Sequence, residues 1–348
     1  MDLWTTRLLF GSIAYPRKGA LIHTNEPDVH NWQACADTIT VTSVGGEMSG
    51  RRILVTGGAG FVGSHVADAL VARGDAVLVV DDLSTGDRAN VHPPVELRIV
   101  DVSDARALGR AVEGERFDAV VHCAAKTKVV QSFEQTQRYR EVIVDGTRNV
   151  LDAALATGAR DVVNISTGGA IYGETPTRAT EETELHPPSP YGQLKAEAEQ
   201  LVQAAGLRGV TLRLANVYGP RQRQDLEGGV IAIFLGAWRR GDPLTVYGDG
   251  TAERDYVYVG DVADAACAAL EGAFTGVYNI GTGVAISVNG LIEMMSAVLG
   301  PPTCVRNAPE RAGEIQRSCV DPSKAARDGL WRPRTDLRAG LERTAELA

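Results

Sequence analysis

Tyr191 and Lys195 stand four residues apart in a segment, YGQLKAEAE, that reads as helix. Residues at i and i+4 project from one helical face, so the spacing puts a phenol beside an ammonium. A tyrosine near pKa 10 is a poor base at neutral pH. A neighbouring ammonium favours the phenolate and lowers that pKa, which makes the pair a candidate proton-transfer device. Such pairs also arise on ordinary surface helices. The pair gains weight only from the elements that stand before it. Pro187, Pro188 and Pro190 place the start of its helix.

The element that organises those before it is Arg51–Gly63, RRILVTGGAGFVG. Ile53, Leu54 and Val55 form the apolar run of a strand covered on both faces. Gly57, Gly60 and Gly63 then recur every third residue, allowing a tight turn, close approach of a diphosphate and close helix packing. The helix N-terminus that follows offers free N–H groups and a partial positive charge to phosphates. A second apolar strand, Ala76–Val80, runs into Asp81 and Asp82. An acid at that distance from the glycines is placed to bond a ribose hydroxyl pair and to repel a 2′-phosphate, which favours NAD over NADP. The competing reading of the glycines is a plain surface turn.

Further strands are expected at Glu96–Val100, Ala119–His122, Asp161–Ser166 and Val210–Leu214. Helices are expected at Phe61–Arg73, Phe133–Thr157 (stopped by Gly158) and Tyr191–Ala205. This alternation predicts an α/β fold, a Rossmann-type doubly wound parallel sheet with helices on both faces. Ligands then sit beyond the carboxyl ends of the strands, where Asp81, Asp101, Ser166 and Thr167 fall. After Leu214 the text is richer in Gly, Pro and Arg, and 221–229, 241–254 and 305–317 read as loops. Residues 51–217 are expected to form the cofactor domain, with 255–282 returning to it. Residues 218–254 and 283–348 are expected to form a smaller C-terminal substrate lobe. Residues 1–50 lack either periodicity and read as a disordered extension or a start assigned too early, with Met48 as a sensible beginning.

The 348 residues suffice for a large core, and 44% hydrophobic with 23% charged residues is ordinary for a globular protein. A net charge of −9 does not suit non-specific binding to nucleic acid or to an anionic membrane. No apolar run approaches the roughly 20 residues of a membrane span. Five scattered cysteines with no CxxC pair suggest neither a zinc site nor a disulfide framework, and fit a reducing cytoplasm.

Taken together, TGGAGFVGSH (56–65), DDLSTG (81–86), HCAA (122–125), STGGAIYG (166–173), YGQLKAEAE (191–199), RLANVYGPRQ (213–222), GDGTAERDYVYVGDVA (248–263), NIGTG (279–283) and RAGEIQRS (311–318) resemble the extended short-chain dehydrogenases/reductases of the NAD-dependent epimerase/dehydratase family. The likeness spans about Arg52 to Ala326. It implies that Gly57, Gly60, Phe61, Val62 and Gly63 hold the NAD diphosphate. Asp81, with Asp82, Ser84 and Gly86, would face the adenosine ribose, and Asp101 with Val102 the adenine. Ala124 and Ala125 would border the cofactor. Tyr191 is then the acid/base, and Lys195 holds the nicotinamide ribose and tunes it. Asn216, Arg254, Arg311 and Glu314 would grip a nucleoside diphosphate sugar. The planar fork of an Arg suits phosphate oxygens in any case. Homodimers joined through the helices near 133–157 and 191–205 are common among such proteins.

Dehydratases and decarboxylases of this resemblance carry an acid in the glycine-rich loop. Here Ser166–Ala170 has none, which favours C4 epimerisation of the UDP-glucose/UDP-galactose kind. Another nucleotide-sugar reaction (UDP-glucuronate 4-epimerase, reductase or dehydratase) and a non-catalytic NAD-binding regulator are the alternatives. Three positions depart from the pattern. Gly168 stands where a hydroxyl is usual, so Thr167 or Ser166 must serve, with Thr167 preferred. Ile143 replaces an Asn, removing a polar group near the site. Lys126 and Lys128 follow HCAA, which puts Lys128 forward as a contact for the cofactor or an acidic sugar. Ser318 falls where a small residue leaves room for a 2-acetamido group, so plain, N-acetylated and uronic sugars all remain open.

Overall fold

The computed structural model describes residues 50–225, 229–310 and 315–347. The expectation for residues 1–50 therefore lies, but for Gly50, outside the described residues. Strand β1 (Arg52–Thr56) leads through the glycine turn into α1 (Phe61–Ala72), followed by β2 (Ala76–Asp81), β3 (Glu96–Ile99), α2 (Ala105–Ala111) and β4 (Ala119–His122). Alternate residues of these strands enter opposite cores. Ile53, Val55, Val77, Val79 and Val121 lie in one apolar cluster, and Leu54, Leu78, Val80 and Val120 in the other. That is why the strands read as unbroken apolar runs: both faces of the sheet are covered.

Where one long helix was expected, the chain forms α3 (Val129–Glu134), α4 (Thr136–Arg140), a π-turn at Glu141–Asp145 and α5 (Gly146–Thr157). Gly158 ends α5 in the left-handed region at φ 84°. Then come β5 (Asp161–Thr167), α6 (Pro190–Ala204), β6 (Arg208–Leu214), β7 (Asn216–Tyr218), α7 (Val230–Arg240), β8 (Leu244–Tyr247), β9 (Glu253–Tyr258) and α8 (Val259–Glu271). The remaining strands are β10 (Gly276–Ile280), β11 (Ala285–Ser287), β12 (Val305–Ala308) and β13 (Arg317–Ser318), with α9 (Val288–Leu299) between β11 and β12.

Seven parallel strands run in the order β10-β6-β5-β4-β1-β2-β3. The order reverses between β1 and β4, the switch point at which doubly wound folds bind their ligands. A second sheet places β9 between β11 and its parallel neighbours β7 and β13, and β8 pairs with β12. The stretches 241–254 and 305–317, expected as loops, thus contribute short strands. The expected return to the main sheet is made by β10, while β9 belongs to the second sheet and α8 packs on α1.

Candidate active site

At the end of β1, Gly57 has φ +69°, and a Cβ there would lie 2.6 Å from the Ala124 amide nitrogen beyond β4. The two strand ends therefore touch at the switch point, and only glycine permits both the turn and the approach. Gly60 caps α1 without any side-chain hydrogen bond, which leaves the first-turn N–H groups directed at the cleft. Asp81 is buried, its Oδ2 accepting from Ala59 N at 3.0 Å and its Oδ1 from Leu83 N at 2.8 Å. Burial raises its pKa above the usual carboxylate range, and those backbone donors oppose the rise. Asp82 Oδ1 accepts from the amide and hydroxyl of Ser84 at 2.9 and 2.7 Å. Asp101 pairs with Arg138 of α4, a partner the sequence reading did not single out.

These groups fit a dinucleotide. An uncapped helix start faces the diphosphate position, and carboxylates stand where a ribose would lie. Gly57, Gly60, Phe61, Val62, Gly63, Asp81, Asp82, Ser84, Gly86, Asp101, Val102, Ala124 and Ala125 all line one continuous cleft. Ser166, Thr167, Tyr191, Lys195, Asn216 and Arg254 line it further along. Its volume is about 1460 Å³, above the roughly 300–1,000 Å³ of a pocket for one small ligand. Cofactor and substrate can share it.

Helix α6 opens with Ser189 as its cap, whose hydroxyl accepts from Gly192 N, and with Pro190 in the first turn. This entry brings Tyr191 to the cleft at the end of β5, which Thr167 also lines. Thr167 Oγ1 is itself held by the Ala170 N–H at 3.2 Å. Burial pushes the Tyr191 phenol up to about 12, and the Thr167 hydroxyl opposes that rise. The expected lowering by Lys195 is therefore overturned for the protein by itself. Lys195 Nζ donates to the Ile165 carbonyl at 2.7 Å, and burial lowers its own pKa to about 8. Ser166 is also committed elsewhere, donating to Glu199 Oε1 at 2.5 Å. Of the two candidate hydroxyls, that of Thr167 is the one that opposes the rise in the Tyr191 pKa. Gly168 cannot replace it, because a Cβ there would lie 2.6 Å from Val320 Cγ1.

Ile143 sits in the π-turn, fully buried among Tyr139, Tyr191, Leu194 and Ala198. Its apolar side chain meets apolar neighbours, so the loss of an Asn leaves no mismatch. Its carbonyl accepts from the Thr147 hydroxyl at 2.5 Å. Thr147 Oγ1, having used its proton, must accept from His122 Nε2 at 3.0 Å. His122 Nδ1 then accepts from the Thr56 hydroxyl at 2.7 Å. Burial drives His122 down to about 3, so it is neutral. This chain ties the glycine turn to the helix behind Tyr191. The sequence showed His122 only as part of HCAA.

On the substrate side, Lys126 lines the cleft, whereas Lys128 caps α3 and gives its carbonyl to the Tyr139 hydroxyl at 2.7 Å. Arg311 and Glu314 lie outside the described residues. A Cβ on Gly169 would meet Asn216 Oδ1 at 3.4 Å and Ser318 Oγ and Thr167 Oγ1 at 3.9 Å, which marks a space rimmed by polar groups beside Tyr191. No helix among the described residues is long and apolar enough to cross a membrane.

Comparison with known proteins agrees with this geometry. Residues 53–281 match the NAD dependent epimerase/dehydratase family. A putative UDP-glucose 4-epimerase of Methanocaldococcus jannaschii is 36% identical over 297 residues, covering 84% of this chain and 96% of its own. The crystal structure of UDP-glucose 4-epimerase from Thermotoga maritima with UDP-glucose superposes with a TM-score of 0.82 at 38% identity, covering 85% of this chain and 98% of that one. That of Thermus thermophilus UDP-glucose 4-epimerase with NAD gives 0.81 at 42% identity, with the same coverage of 85% and 98%. The glycine turn at the switch point and the Tyr191 and Thr167 that line the same cleft are accounted for together: the chain belongs to the NAD-dependent epimerase/dehydratase family of nucleotide-sugar enzymes.

Proposed function

We propose that the protein interconverts the C4 epimers of a UDP-hexose of the UDP-glucose/UDP-galactose type. The observation that carries this is Tyr191 and Thr167 lining one cleft continuous with the glycine turn, beside a segment, 166–170, that contains no acid. A dehydratase or decarboxylase needs a further group for the C5 proton or the carboxylate. An epimerase needs only one acid/base at O4.

In this reading Tyr191 takes the proton of the 4-hydroxyl and Thr167 bonds the same oxygen. Bound NAD would supply a hydride acceptor for C4 and a positive charge that favours the Tyr191 phenolate. The 4-keto sugar turns over within the cleft. Tyr191 then gives the proton back, so no net oxidation occurs. Lys195 holds the nicotinamide ribose. Asn216 and Arg254, with Arg311 and Glu314, grip the nucleoside diphosphate sugar. The small Ser318 and open Gly169 leave space at the sugar, so a 2-acetamido substrate belongs in the test set. We assign residues 51–217 with 255–282 to cofactor binding, and 218–254 with 283–348 to the substrate. We also read the protein as a cytoplasmic homodimer joined through α4–α6.

The test is direct. Purified protein is given UDP-galactose, UDP-GalNAc or UDP-glucuronate without added NAD, and the C4 epimer is followed by NMR. Conversion without NADH accumulation is expected for the UDP-hexose. No conversion even with NAD supplied, or stoichiometric consumption of NADH, would sink the reading. Light scattering reports the dimer.

A further inference from the structure

Helix α6 grips the end of β5 at two successive residues. Lys195 Nζ donates to the Ile165 carbonyl at 2.7 Å. One turn further on, Glu199 Oε1 accepts from the Ser166 hydroxyl at 2.5 Å. The residue after Ser166 is Thr167, which lines the cleft with Tyr191.

Glu199 is only 2% exposed, and a carboxylate taken out of water is costly unless it is paired. Arg213 of β6 supplies the pair, with Nη2 at 2.7 Å from Oε2 and Nε at 3.1 Å from both carboxylate oxygens. Arg213 Nη1 donates to the Tyr172 hydroxyl at 2.9 Å, and Tyr172 donates to Asn279 Oδ1 at 2.8 Å. All these groups are buried. The chain of bonds runs from the loop beside Tyr191 to β10 at the edge of the sheet.

Stability alone does not explain such a pair. Replacing a buried ion pair by apolar groups of similar size is often neutral or stabilising. What this pair does that apolar side chains cannot is fix the rotation of Ser166, and with it the backbone that presents Thr167. We propose that Glu199, locked by Arg213, is a positioning residue for epimerisation: it holds Ser166 while Lys195 holds Ile165, so that Thr167 is aimed at Tyr191. The proposal rests on the 4-epimerase reading above. The charge of Glu199 also favours the ammonium of Lys195, one turn away on the same helix, against the effect of burial.

The test is a double-mutant cycle on the NAD-loaded protein. Glu199→Gln and Ser166→Ala are each expected to lower kcat about 10- to 100-fold, the scale of a small misplacement, with KM close to the wild-type value. The double variant should be no worse than the weaker single, since both changes act on one bond: Ser166→Ala removes it, and the neutral amide oxygen of Gln accepts it more weakly than the carboxylate. Glu199→Met/Arg213→Met removes both charges together and should fold and retain NAD, yet turn over slowly. Multiplicative single effects, or a Met/Met protein that works at the wild-type rate, would overturn the role. So would losses that follow cofactor content or melting temperature. Crystal structures of Ser166→Ala and of the Met/Met protein give a readout free of activity: Thr167 should shift relative to Tyr191, and an undisturbed placement of Thr167 counts against the proposal. An inactive wild-type protein would defeat the epimerase reading instead, and that control separates the two failures.

Discussion

Tyr191 is held with its proton on: burial takes the phenol up to about 12, and only Thr167 pulls against that. A proton acceptor in that state works only when further positive charge arrives with the cofactor, so ionisation of Tyr191 should be coupled to NAD binding. Tyr191→Phe keeps the ring in its apolar cluster with Leu194 and Ala198 and deletes only the hydroxyl. We expect kcat to fall about 10²- to 10⁴-fold, the usual worth of a general acid/base, with bound NAD retained. Thr167→Ala should cost less than Tyr191→Phe, because the phenol remains. Steady-state rates alongside cofactor absorbance check both expectations. A Tyr191→Phe protein that retained full turnover would remove the acid/base assignment.

At the scale of elements, what could be read in advance depended on how local the cause was. Strands β1, β2, β4 and β5 are buried on both faces, so their apolar runs announced them, and the glycine turn needs residues that nothing else replaces. Strands β8 and β12 are four residues each, set among Gly, Pro and Arg, and their pairing with one another is decided by tertiary contact. The π-turn was illegible because sequence periodicity cannot distinguish an extra residue in one turn from regular helix. Of the candidate site, the Tyr191–Lys195 spacing was legible, but the commitment of Ser166 to Glu199 was not. It depends on Arg213 arriving from β6. The His122 chain is likewise tertiary, and it carries a pH signature. His122 is neutral in the fold, with a pKa near 3, against 6.5 for an ordinary histidine. Between those values the unfolded chain takes up a proton that the folded one refuses. Stability is therefore full above about pH 6.5 and falls as pH drops toward 3, by up to about 1.4 kcal/mol per pH unit. Urea unfolding from pH 7 to 4 should show a shallower decline in His122→Leu than in the wild type, whatever their absolute stabilities. Parallel declines would mean that His122 is not the group titrating.

For the whole molecule, the proposed cofactor site lies across the place where the sheet reverses. Gly57 belongs to one half of the fold, and Ala124 touches it from the other. Anything that binds there bridges both halves and binds the folded state alone, so binding free energy adds to folding free energy. At a concentration 100 times its dissociation constant, a ligand stabilises by about 2.7 kcal/mol. For a chain of this size that raises the melting temperature by several degrees. NAD should produce this shift in protein stripped of its cofactor. NADP should produce much less if Asp81, buried in the cleft with Asp82 also lining it, faces the ribose as we propose, since its carboxylate would repel the 2′-phosphate. Gly57→Val should abolish the response to either, since a side chain at φ +69° is strained and would collide with the Ala124 backbone. Differential scanning calorimetry on the three combinations decides the matter. Equal shifts with NAD and NADP would remove the acidic pair as the source of cofactor choice, and a shift surviving in Gly57→Val would place the dinucleotide somewhere other than the switch point.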